Sequence, residues 1–494
     1  MMMMAMSGGR FLQHLLLAVL ILFLFQQIVA DSDVLSCGDD GREALLVFKQ
    51  GLADDDGFLS SWGRQLSGFF QNLSGGCTEK KLELLHLSGN KIKGFVPDFT
   101  RFSSLKQLGL AQNRLNGTIH KSIGQMFELQ SLDLGDNSLK AILGFLLFKI
   151  LGLYLLPLAN WGLIFQNGSE VWDSIEYFNI SYNHIKGNLP KFSSLFLTSY
   201  VQLDMSSNHL EGPILSLPPF ASYINLSRNK FSGSSSFICS ISFELLTYFD
   251  LSNNLLSGKL PDCRSIFGEL AVLNLANNGF SGKIPPSMGS LHNILTLRLS
   301  NNFFGKLTIL SNCTRLRILD LQDNALSGKI PEWIGESLPS LPVLSLESNR
   351  FSDNIPFQLC RLTNIQILDL SLNNISGSIP KCFNNFTALS EERSSHAAIT
   401  YEYKYLYLGY RGEFKYVDSA WLTWKGSKYE YKNTLGLVKS LDLSVNKLDG
   451  AVPEEIMSLV GLIALNLSRN NFSGAIPSKI GQLKSLNFLD LSRN

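Results

Sequence analysis

A six-residue phrase, Leu-x-Leu-x-x-Asn, recurs along the chain and constrains its fold more than any other feature of the sequence. Consecutive copies lie 21 to 25 residues apart, with two exceptions: the 46 residues from Asn137 to Asn183 make two such intervals, and the phrase skips from Asn373 to Asn446. A length of 494 residues alone suggests about three domains of ~150 residues each. The regular period instead indicates a chain of stacked, similar units. The fifteen copies end at Asn90, Asn113, Asn137, Asn183, Asn208, Asn229, Asn254, Asn278, Asn302, Asn324, Asn349, Asn373, Asn446, Asn470 and Asn494.

The alternating leucines of this phrase predict a short β-strand with one buried face. Successive side chains of a strand point to opposite faces, so both leucines point inward and the residue between them points to solvent. The asparagine then turns inward, where its amide satisfies backbone groups that would each cost about 1–3 kcal/mol if buried unpaired. A single unit cannot bury its own leucines, so neighbouring units must stack.

A second phrase follows most copies of the first and predicts how the chain returns to the next strand. Glycine permits a tight bend and proline ends strand pairing, so the chain turns back along the convex side. The two phrases together predict an α/β repeat fold. It is a right-handed leucine-rich-repeat solenoid of the LxxLxLxxNxLSGxIP type, with a parallel sheet on its concave face. The clearest copies are LSGKLP (Leu256 to Pro261), FSGKIP (Phe280 to Pro285), LSGKIP (Leu326 to Pro331), ISGSIP (Ile375 to Pro380) and FSGAIP (Phe472 to Pro477).

The N-terminus has the features of a secretory signal. Arg10 precedes an apolar run from Leu15 to Phe25, and the small residue Ala30 follows at a cleavage position. Eleven apolar residues are too few for a bilayer span, which needs about 20. We therefore expect residues 1–30 to direct the chain into the secretory pathway. Ten Asn-x-Ser/Thr sequons agree with that route and are the predicted glycosylation sites: Asn72, Asn116, Asn167, Asn179, Asn225, Asn312, Asn374, Asn385, Asn466 and Asn471.

Four of the seven cysteines form two pairs whose members are one repeat apart on the convex connections. We predict one disulfide between Cys239 and Cys263 and another between Cys360 and Cys382. Adjacent coils bring such positions to about 5 Å, within reach of a disulfide, and the secretory route is oxidising. Buried free thiols are the alternative. The pairing of the other three cysteines stays open: Cys37, Cys77 and Cys313.

Two stretches resemble the receptor-like proteins of plants. DDGREALLVFKQGLADDDGFLSSW, from Asp39 to Trp62, is similar to the amphipathic cap that opens these proteins. WLTWKGSKYEYKNTLGLVKSLDLSVNKLDG, from Trp421 to Gly450, is similar to the junction where their non-repeat island returns to the solenoid. The repeats themselves resemble the plant-specific class of extracellular leucine-rich repeats. The group of receptor-like proteins that the chain resembles most includes the xylanase-elicitor receptors of plant immunity.

This resemblance implies a cell-surface receptor without a kinase domain. Such a receptor lies at the plasma membrane and binds a pathogen- or wall-derived peptide, protein or glycan ligand in plant defence. It signals through adaptor and co-receptor kinases as partners. The alternative is a secreted inhibitor of a microbial wall-degrading enzyme, similar to the polygalacturonase-inhibiting leucine-rich proteins. The island and the number of repeats favour the receptor, whereas the lack of a membrane helix favours the inhibitor.

Three features depart from the family pattern. The cap lacks the cysteines expected between Trp62 and Cys77, so Cys37 has no expected partner. An apolar segment from Ile142 to Phe165 replaces a recognisable repeat. Its length permits a membrane span, but a span would place the later sequons in the cytosol, so a degenerate or misassembled repeat is favoured. The chain stops on the ladder asparagine at 494, which predicts a truncated product whose membrane attachment depends on a missing segment.

These observations predict seven segments along the chain. The repeats are interrupted twice, once by the apolar segment and once by the island. The segments are a signal peptide (1–30), a degenerate N-terminal cap (31–76), leucine-rich repeats (77–141), a degenerate apolar segment (142–170), leucine-rich repeats (171–390), a non-repeat, tyrosine-rich island (391–433) and truncated leucine-rich repeats (434–494).

The island, residues 391–433, is the strongest candidate for a ligand-binding surface. It contains eight of the fourteen tyrosines of the chain, and a strand through YEYKYLYLGY would place four of them on one face. Rigid aromatic side chains are favoured at recognition surfaces because they lose little entropy on binding. The alternative is that these rings pack onto the solenoid as the core of a small insert. The candidate residues are Tyr401, Tyr403, Tyr405, Tyr407, Trp421 and Trp424.

The concave face is the second candidate surface. We expect its strand positions to be exposed, with a column of acidic residues that could attract a basic ligand; Arg298, Asp320 and Asp369 are the candidate contacts. The alternative is that the aspartates stabilise the turns of the repeat. The column comprises Asp133, Asp204, Asp250, Asp320, Asp369, Asp442 and Asp490, interrupted by His86, Asn179, Asn225, Asn274, Arg298, Ser345 and Asn466.

Charge and motifs argue against several function classes. The 42 Lys and Arg balance 41 Asp and Glu, so the net charge of +1 creates no field that would attract nucleic acid. The seven histidines never occur at metal-ligand spacing, and no glycine-rich phosphate loop precedes a helix. Isolated Ser, His and Asp residues assemble no catalytic motif. We therefore expect neither an enzyme nor a cofactor or metal.

Overall fold

The structure is a computed structural model that describes residues 82–140, 175–189, 201–392 and 398–494. Short gaps within these ranges are 97, 100–101, 120–122, 124–125, 127, 219, 241–244, 264–267, 308–309, 408–409 and 425–426. The predicted signal peptide, the N-terminal cap with Cys37, the following Cys77 and all of the apolar segment 142–170 lie outside the described residues, as do the sequons Asn72 and Asn167.

A fifteen-stranded parallel sheet forms the concave face, with one strand from each copy of the leucine phrase. Neighbouring strands pair in register, so that Leu297 lies opposite Leu319. The strand before the island pairs with the strand after it, and the ladder continues past the insertion. The strands are β1 (Leu84–His86), β3 (Gln107–Gly109), β5 (Ser131–Asp133), β7 (Tyr177–Asn179), β9 (Val201–Asp204), β11 (Ala221–Asn225), β13 (Tyr248–Asp250), β15 (Val272–Asn274), β17 (Thr296–Arg298), β19 (Ile318–Asp320), β21 (Val343–Ser345), β23 (Ile367–Asp369), β29 (Ser440–Asp442), β31 (Ala464–Asn466) and β33 (Phe488–Asp490).

Shorter parallel ladders follow the first sheet at one edge of the coils. The glycine of the second phrase takes a left-handed conformation there, with φ of 85° at Gly258 and 83° at Gly282, which glycine adopts without steric cost. The strands are β2 (Lys93–Phe95), β4 (Arg114–Thr118), β6 (Ser138–Lys140), β8 (Lys186–Asn188), β10 (His209–Pro213), β12 (Lys230–Ser234), β14 (Leu255–Lys259), β16 (Gly279–Lys283), β18 (Phe303–Lys306), β20 (Ser327–Lys329), β22 (Arg350–Asn354), β24 (Asn374–Gly377), β30 (Lys447–Gly450) and β32 (Asn471–Phe472).

Short helices make up most of the remaining regular structure. Most are single 3-10 turns, and several begin directly after the proline of the second phrase, as at Pro285 and Pro356. The helices are Ser236–Ser240, Pro286–Ser290, Trp333–Ser337, Phe357–Arg361, Lys381–Asn385, Thr387–Ser390, Leu435–Leu437, Glu454–Ser458 and Ser478–Gln482. Within the described ranges, none of the helices is long and apolar enough to cross a membrane.

The ladder asparagines hold adjacent coils together as the sequence predicts. The amide nitrogen of Asn302 donates to the backbone oxygens of Leu299 (3.1 Å) and, in the preceding coil, Leu275 (3.0 Å). Its Oδ1 accepts a hydrogen bond from the backbone N–H of Phe280 at 2.9 Å. Asn302 therefore satisfies backbone groups of two coils that burial would otherwise leave unpaired.

One continuous hydrophobic core fills the solenoid. Leucines of the phrase such as Leu297, Leu319 and Leu344 are fully buried in it. On the convex side the structure joins Cys239 to Cys263 and Cys360 to Cys382, with Cα–Cα distances of 5.4 and 5.7 Å, as the repeat spacing predicts. Cys313 is a buried thiol, and burial raises its pKa to about 11.

Candidate functional site

The island forms two antiparallel hairpins. β25 (Thr400–Tyr407) pairs with β26 (Tyr410–Val417), and β27 (Ala420–Trp424) pairs with β28 (Ser427–Tyr431). The alternating aromatic sequence favours extended structure, since β-branched and aromatic residues are enriched in strands. The strand predicted through the four alternating tyrosines corresponds to β25.

The second hairpin packs its apolar side chains on the concave sheet. Ile318, Val343 and Ile367 occupy the same position of three consecutive strands and form a column that we call the docking column. A separate hydrophobic cluster joins the docking column to island and post-island residues: Ala420, Leu422, Leu435 and Val438. Three aliphatic side chains at a concave position, each at most 1% exposed, show that the island covers this part of the sheet.

A buried ion pair holds the turn between the two hairpins. Asp418, which is 0% exposed, accepts hydrogen bonds from the guanidinium of Arg298 and the hydroxyl of Thr296. Arg298 also donates to the backbone oxygen of Ser419. Burial lowers the pKa of Arg298, but the carboxylate of Asp418, together with the smaller effects of Tyr416, Asp320 and Asp250, raises it overall. We call this set of contacts the island pin.

A lysine on the second hairpin contacts carboxylates at the edge of the sheet. Lys428 Nζ lies 2.9 Å from Asp323 Oδ2 and 3.4 Å from Glu347 Oε2. Burial raises the pKa of Glu347, and the positive charge of Lys428 offsets this only in part. For Lys428 itself, burial lowers the pKa, but the two carboxylates raise it overall. Lys428 thus attaches the second hairpin at the edge of the concave sheet, in addition to the packing of this hairpin on the docking column.

Tyrosine rings continue from the concave sheet into the first hairpin. Tyr223 stacks on Tyr248 with centroids 4.4 Å apart, and Tyr248 contacts the edge of Tyr416 at 5.3 Å. Tyr416 stacks on Tyr401 at 6.1 Å, and the guanidinium of Arg317 lies 5.5 Å from the Tyr401 ring centre. Tyr401 is 6% exposed. Its ring therefore packs onto the solenoid, the alternative that the sequence left open.

The prediction that the concave positions are exposed is wrong for the central part of the sheet. Arg298, Asp320 and Asp369 are all buried, because the island covers the strands that carry them. Asp369 Oδ1 accepts hydrogen bonds from the backbone N–H and the hydroxyl of Ser371 at 3.0 and 2.6 Å, the turn-stabilising role. Burial, and then the charges of Asp442 and Glu347, raise its pKa well above the usual value. Asp250, Ser345 and Asp442 are also buried.

The other candidates divide into exposed and undescribed side chains. Trp421 is 43% exposed and stays available to a ligand. The backbones of Tyr403, Tyr405, Tyr407 and Trp424 lie in strands, but their side chains are outside the described part of the structure. Five sequon asparagines are exposed: Asn116, Asn312, Asn374, Asn385 and Asn471.

Three sequons on the concave strands are partly buried. The amide nitrogen of Asn225 donates to Asp204 Oδ2 at 3.2 Å, and that of Asn466 donates to Asp442 Oδ2 at 2.9 Å. Asn179 accepts a hydrogen bond from the backbone N–H of Ser181. These asparagines therefore take part in the turn network of the repeat, and their glycosylation stays a prediction.

Sequence reasoning missed the residues that attach the island. Two signals were present. Arg298 is the only cation in a column of acidic and amide residues, which indicates an acidic partner elsewhere. The docking column is a run of three aliphatic residues at a position that a solvated sheet would fill with polar side chains. The missed residues are Thr296, Asp323, Glu347, Asp418, Ser419 and Lys428.

Comparisons with known proteins agree with this architecture. The family model described as Leucine Rich Repeat matches residues 245–264, 269–291, 315–337, 364–386 and 461–483. The chain is 45% identical to tomato (Solanum lycopersicum) Receptor-like protein EIX2 over 295 residues, which are 60% of this chain and 29% of that protein. It is 33% identical to Receptor-like protein 53 of Arabidopsis thaliana over 402 residues, 78% of this chain and 35% of that protein.

A solved structure of a plant receptor kinase has a similar fold. The Arabidopsis receptor kinase HAESA, in complex with the peptide hormone IDA and the co-receptor SERK1, aligns with a TM-score of 0.58 and 25% identity. The alignment covers 86% of this chain and 67% of that one. The chain spans about a third of the length of the curated relatives named above. The predicted leucine-rich-repeat fold and the resemblance to plant receptor-like proteins are confirmed.

Proposed function

We propose that this chain, a leucine-rich-repeat protein similar to plant receptor-like proteins, is the ligand-binding part of a cell-surface receptor in plant defence. It lies on the extracellular side of the plasma membrane and binds a pathogen- or wall-derived peptide, protein or glycan. It acts through partner receptor kinases, and we assign it no enzymatic activity. The predicted secretory signal and sequons support this location.

The observation that carries the proposal is the island docked on the concave sheet. The docking column and the island pin attach it at strands β17 to β23, and Lys428 adds a contact at the edge of β19 and β21. A ligand that contacts both the island and the open concave strands beside it would touch segments that are distant in sequence. Exposed Trp421, with Tyr403 and Tyr405 of the same island, would supply rigid contact area on that composite surface.

Similarity to a receptor kinase that was solved with a peptide hormone and a co-receptor supports the proposed class of partners. That structure contains the receptor kinase HAESA in complex with a peptide hormone and a co-receptor. We extend this arrangement to the present chain and expect ligand to promote its association with a co-receptor kinase.

The test measures ligand-dependent association in leaf tissue. The tagged 494-residue chain is expressed with tagged co-receptor kinases, and co-precipitation is compared before and after treatment with a microbial culture filtrate. Trp421→Ala, and Tyr403→Ala combined with Tyr405→Ala, should reduce filtrate-dependent association more than they reduce surface abundance. Phe357→Ala is the matched control, because this aromatic is 65% exposed in a helix outside the concave sheet and the island. No filtrate-dependent association with any kinase would overturn the proposal.

A further inference from the structure

A polar cleft opens on the flank of the solenoid, where the first island strand approaches the repeats. Its volume is about 820 Å³, within the ~300–1,000 Å³ range of pockets that enclose small ligands. One wall consists of residues just before strands β19, β21 and β23, including Arg317, Pro342 and Gln366. Ile399 and Tyr401 of the island form part of the opposite wall. We call this site the flank cleft.

Two arginines, Arg315 and Arg317, outnumber the single carboxylate that lines the flank cleft, Glu391, and give the cleft a net positive charge. Arg315 and Arg317 are both exposed, and neither forms an ion pair with any residue that the structure describes. Arg315 Nη1 donates to Asn293 Oδ1 at 2.8 Å, and Arg317 lies over the ring of Tyr401. These contacts orient the guanidinium groups without neutralising them, so their remaining N–H donors are available to an anion.

A buried acceptor in the same cleft lacks a hydrogen bond. Gln366 Oε1 is buried and has no partner among the described residues, although an unpaired buried acceptor is destabilising. A ligand hydroxyl would supply the missing donor once the partly buried Gln366 side chain turns its amide oxygen toward the cleft. Ser340, Asn364 and Thr387 also line the cleft and offer further polar groups.

We propose that the flank cleft binds a short acidic oligosaccharide built from uronic acid residues. Such a sugar carries a carboxylate for Arg315 and Arg317, together with hydroxyl donors for Gln366. An acidic peptide fits less well, because peptide recognition relies on apolar or aromatic anchors and the one aromatic ring lining this cleft is buried beneath Arg317. The ligand class rests on the proposed ligand-binding role of the chain, but its test uses purified protein and requires no signalling.

Two sequons flank the cleft and shape the experiment. Thr314 and Thr387 line it, and they are the third residues of the sequons at Asn312 and Asn385. Glycans at these exposed asparagines would begin at the rim of the cleft. Binding is therefore measured on the Asn312→Gln, Asn385→Gln variant as well as on the unaltered chain, so that the protein's own sugars cannot fill the site.

The binding experiment compares three ligands by isothermal titration calorimetry. The probes are trigalacturonic acid, the neutral trimer galactotriose and the peptide tetraglutamate. Trigalacturonic acid should bind, with an affinity that falls as salt rises because the contact is charge-dependent. The two other probes should bind at least about tenfold more weakly, since each lacks one of the two features that the cleft selects. Equal binding of galactotriose or of tetraglutamate would overturn the assigned ligand class, and no binding of trigalacturonic acid would overturn the site.

Three variants separate binding from folding. Arg315→Gln should weaken trigalacturonic acid binding about tenfold, because a charge-assisted contact is lost at a side chain that no described hydrogen bond links to the island. Gln366→Leu should weaken binding yet raise the melting temperature, because it removes a buried acceptor without a partner. Arg350→Gln is the control: this exposed arginine starts β22, away from the cleft, and its loss should leave binding unchanged. Unchanged binding in Arg315→Gln, or a lower melting temperature in Gln366→Leu, would contradict the proposal.

Discussion

At the scale of single residues, the repeat depends on a pair of adjacent positions. The residue before each ladder asparagine has a left-handed backbone, as at Asn253, Asn277 and Asn301, with φ between 49° and 55°. This conformation turns the following asparagine inward, and asparagine, aspartate and glycine adopt it at low cost. Leu372 and Val445 occupy the same position with φ of 55° and 54°, where their side chains cause strain.

Val445 therefore gives a prediction about stability. Val445→Asn should stabilise the fold by about 1 kcal/mol, because a β-branched residue in the left-handed region is replaced by one that tolerates it. Thermal unfolding of the purified variant checks the gain. Asn253→Val, the reverse change at an equivalent position, should lower the melting temperature. If both variants melt like the unaltered chain, the strain at this position is negligible.

The ladder asparagine itself gives a second prediction. Asn302→Ala should destabilise the solenoid by about 1–3 kcal/mol, since backbone groups of two coils lose their buried partner. The measurement is the shift of the denaturation midpoint. Asn487→Ala serves as the control because this asparagine is exposed, and its substitution should change stability by less than about 0.5 kcal/mol. Equal effects of the two changes would refute a structural role for the ladder.

At the scale of elements, the island is a small unit that depends on the sheet beneath it. Two isolated hairpins are marginally stable in water, so they need the docking column and the island pin to hold their conformation. The carboxylate of Asp418 is fully buried, and among the described residues the guanidinium of Arg298 is the only cation that forms an ion pair with it.

Removing the pin should release the island while the solenoid stays folded. Arg298→Met leaves the Asp418 carboxylate buried and uncompensated, which costs about 3–5 kcal/mol in other buried pairs. Hydrogen exchange should therefore accelerate in β25 to β28, while β3 and β5 keep their protection. Arg228→Met is the matched control, since it breaks only the exposed 3.9 Å contact with Glu430 and should have an effect below about 1 kcal/mol. Unchanged exchange in the island strands of Arg298→Met would show that apolar packing alone is sufficient.

At the scale of the whole molecule, the solenoid is nearly one-dimensional. In the described part of the solenoid, each coil pairs its strands with those of its neighbours and bonds to them through the asparagine ladder, so a local defect should stay local. The island changes this over part of the length. It contacts β13 through Tyr248, β17 through Arg298 and β19 to β23 through the docking column, and so links coils that are not adjacent.

Two equivalent core leucines test this difference in cooperativity. Leu108 in β3 and Leu319 in β19 are both fully buried, and replacing either with Ala should cost about 2–5 kcal/mol. For Leu108→Ala, faster hydrogen exchange should be confined to β1, β3 and β5. For Leu319→Ala, it should extend from β17 to β23 and include the island strands. An equally narrow effect in both variants would mean that the island does not couple the coils.

Much of the architecture could be predicted from the sequence because its determinants are local and repeated. The period sets the stacking, the leucines set the buried face of each strand, and the asparagine sets the turn. The same spacing was sufficient to pair Cys239 with Cys263 and Cys360 with Cys382, since residues one period apart lie on adjacent coils. Even the strand through Tyr401 followed from a local alternation of residue types.

The arrangement of the site was decided only by the tertiary structure. Asp418 lies 120 residues from Arg298 along the chain, and no local pattern relates the two positions. Whether Arg298 and Asp369 face solvent depends on where a non-repeat insertion lies, and the period carries no information about an insertion. The flank cleft has the same origin, because its two walls come from repeats and island and exist only once these pack together. The repeat thus determines the strand, the buried face and the turn of each coil. Burial and ion pairing between distant segments determine which surface a ligand can reach.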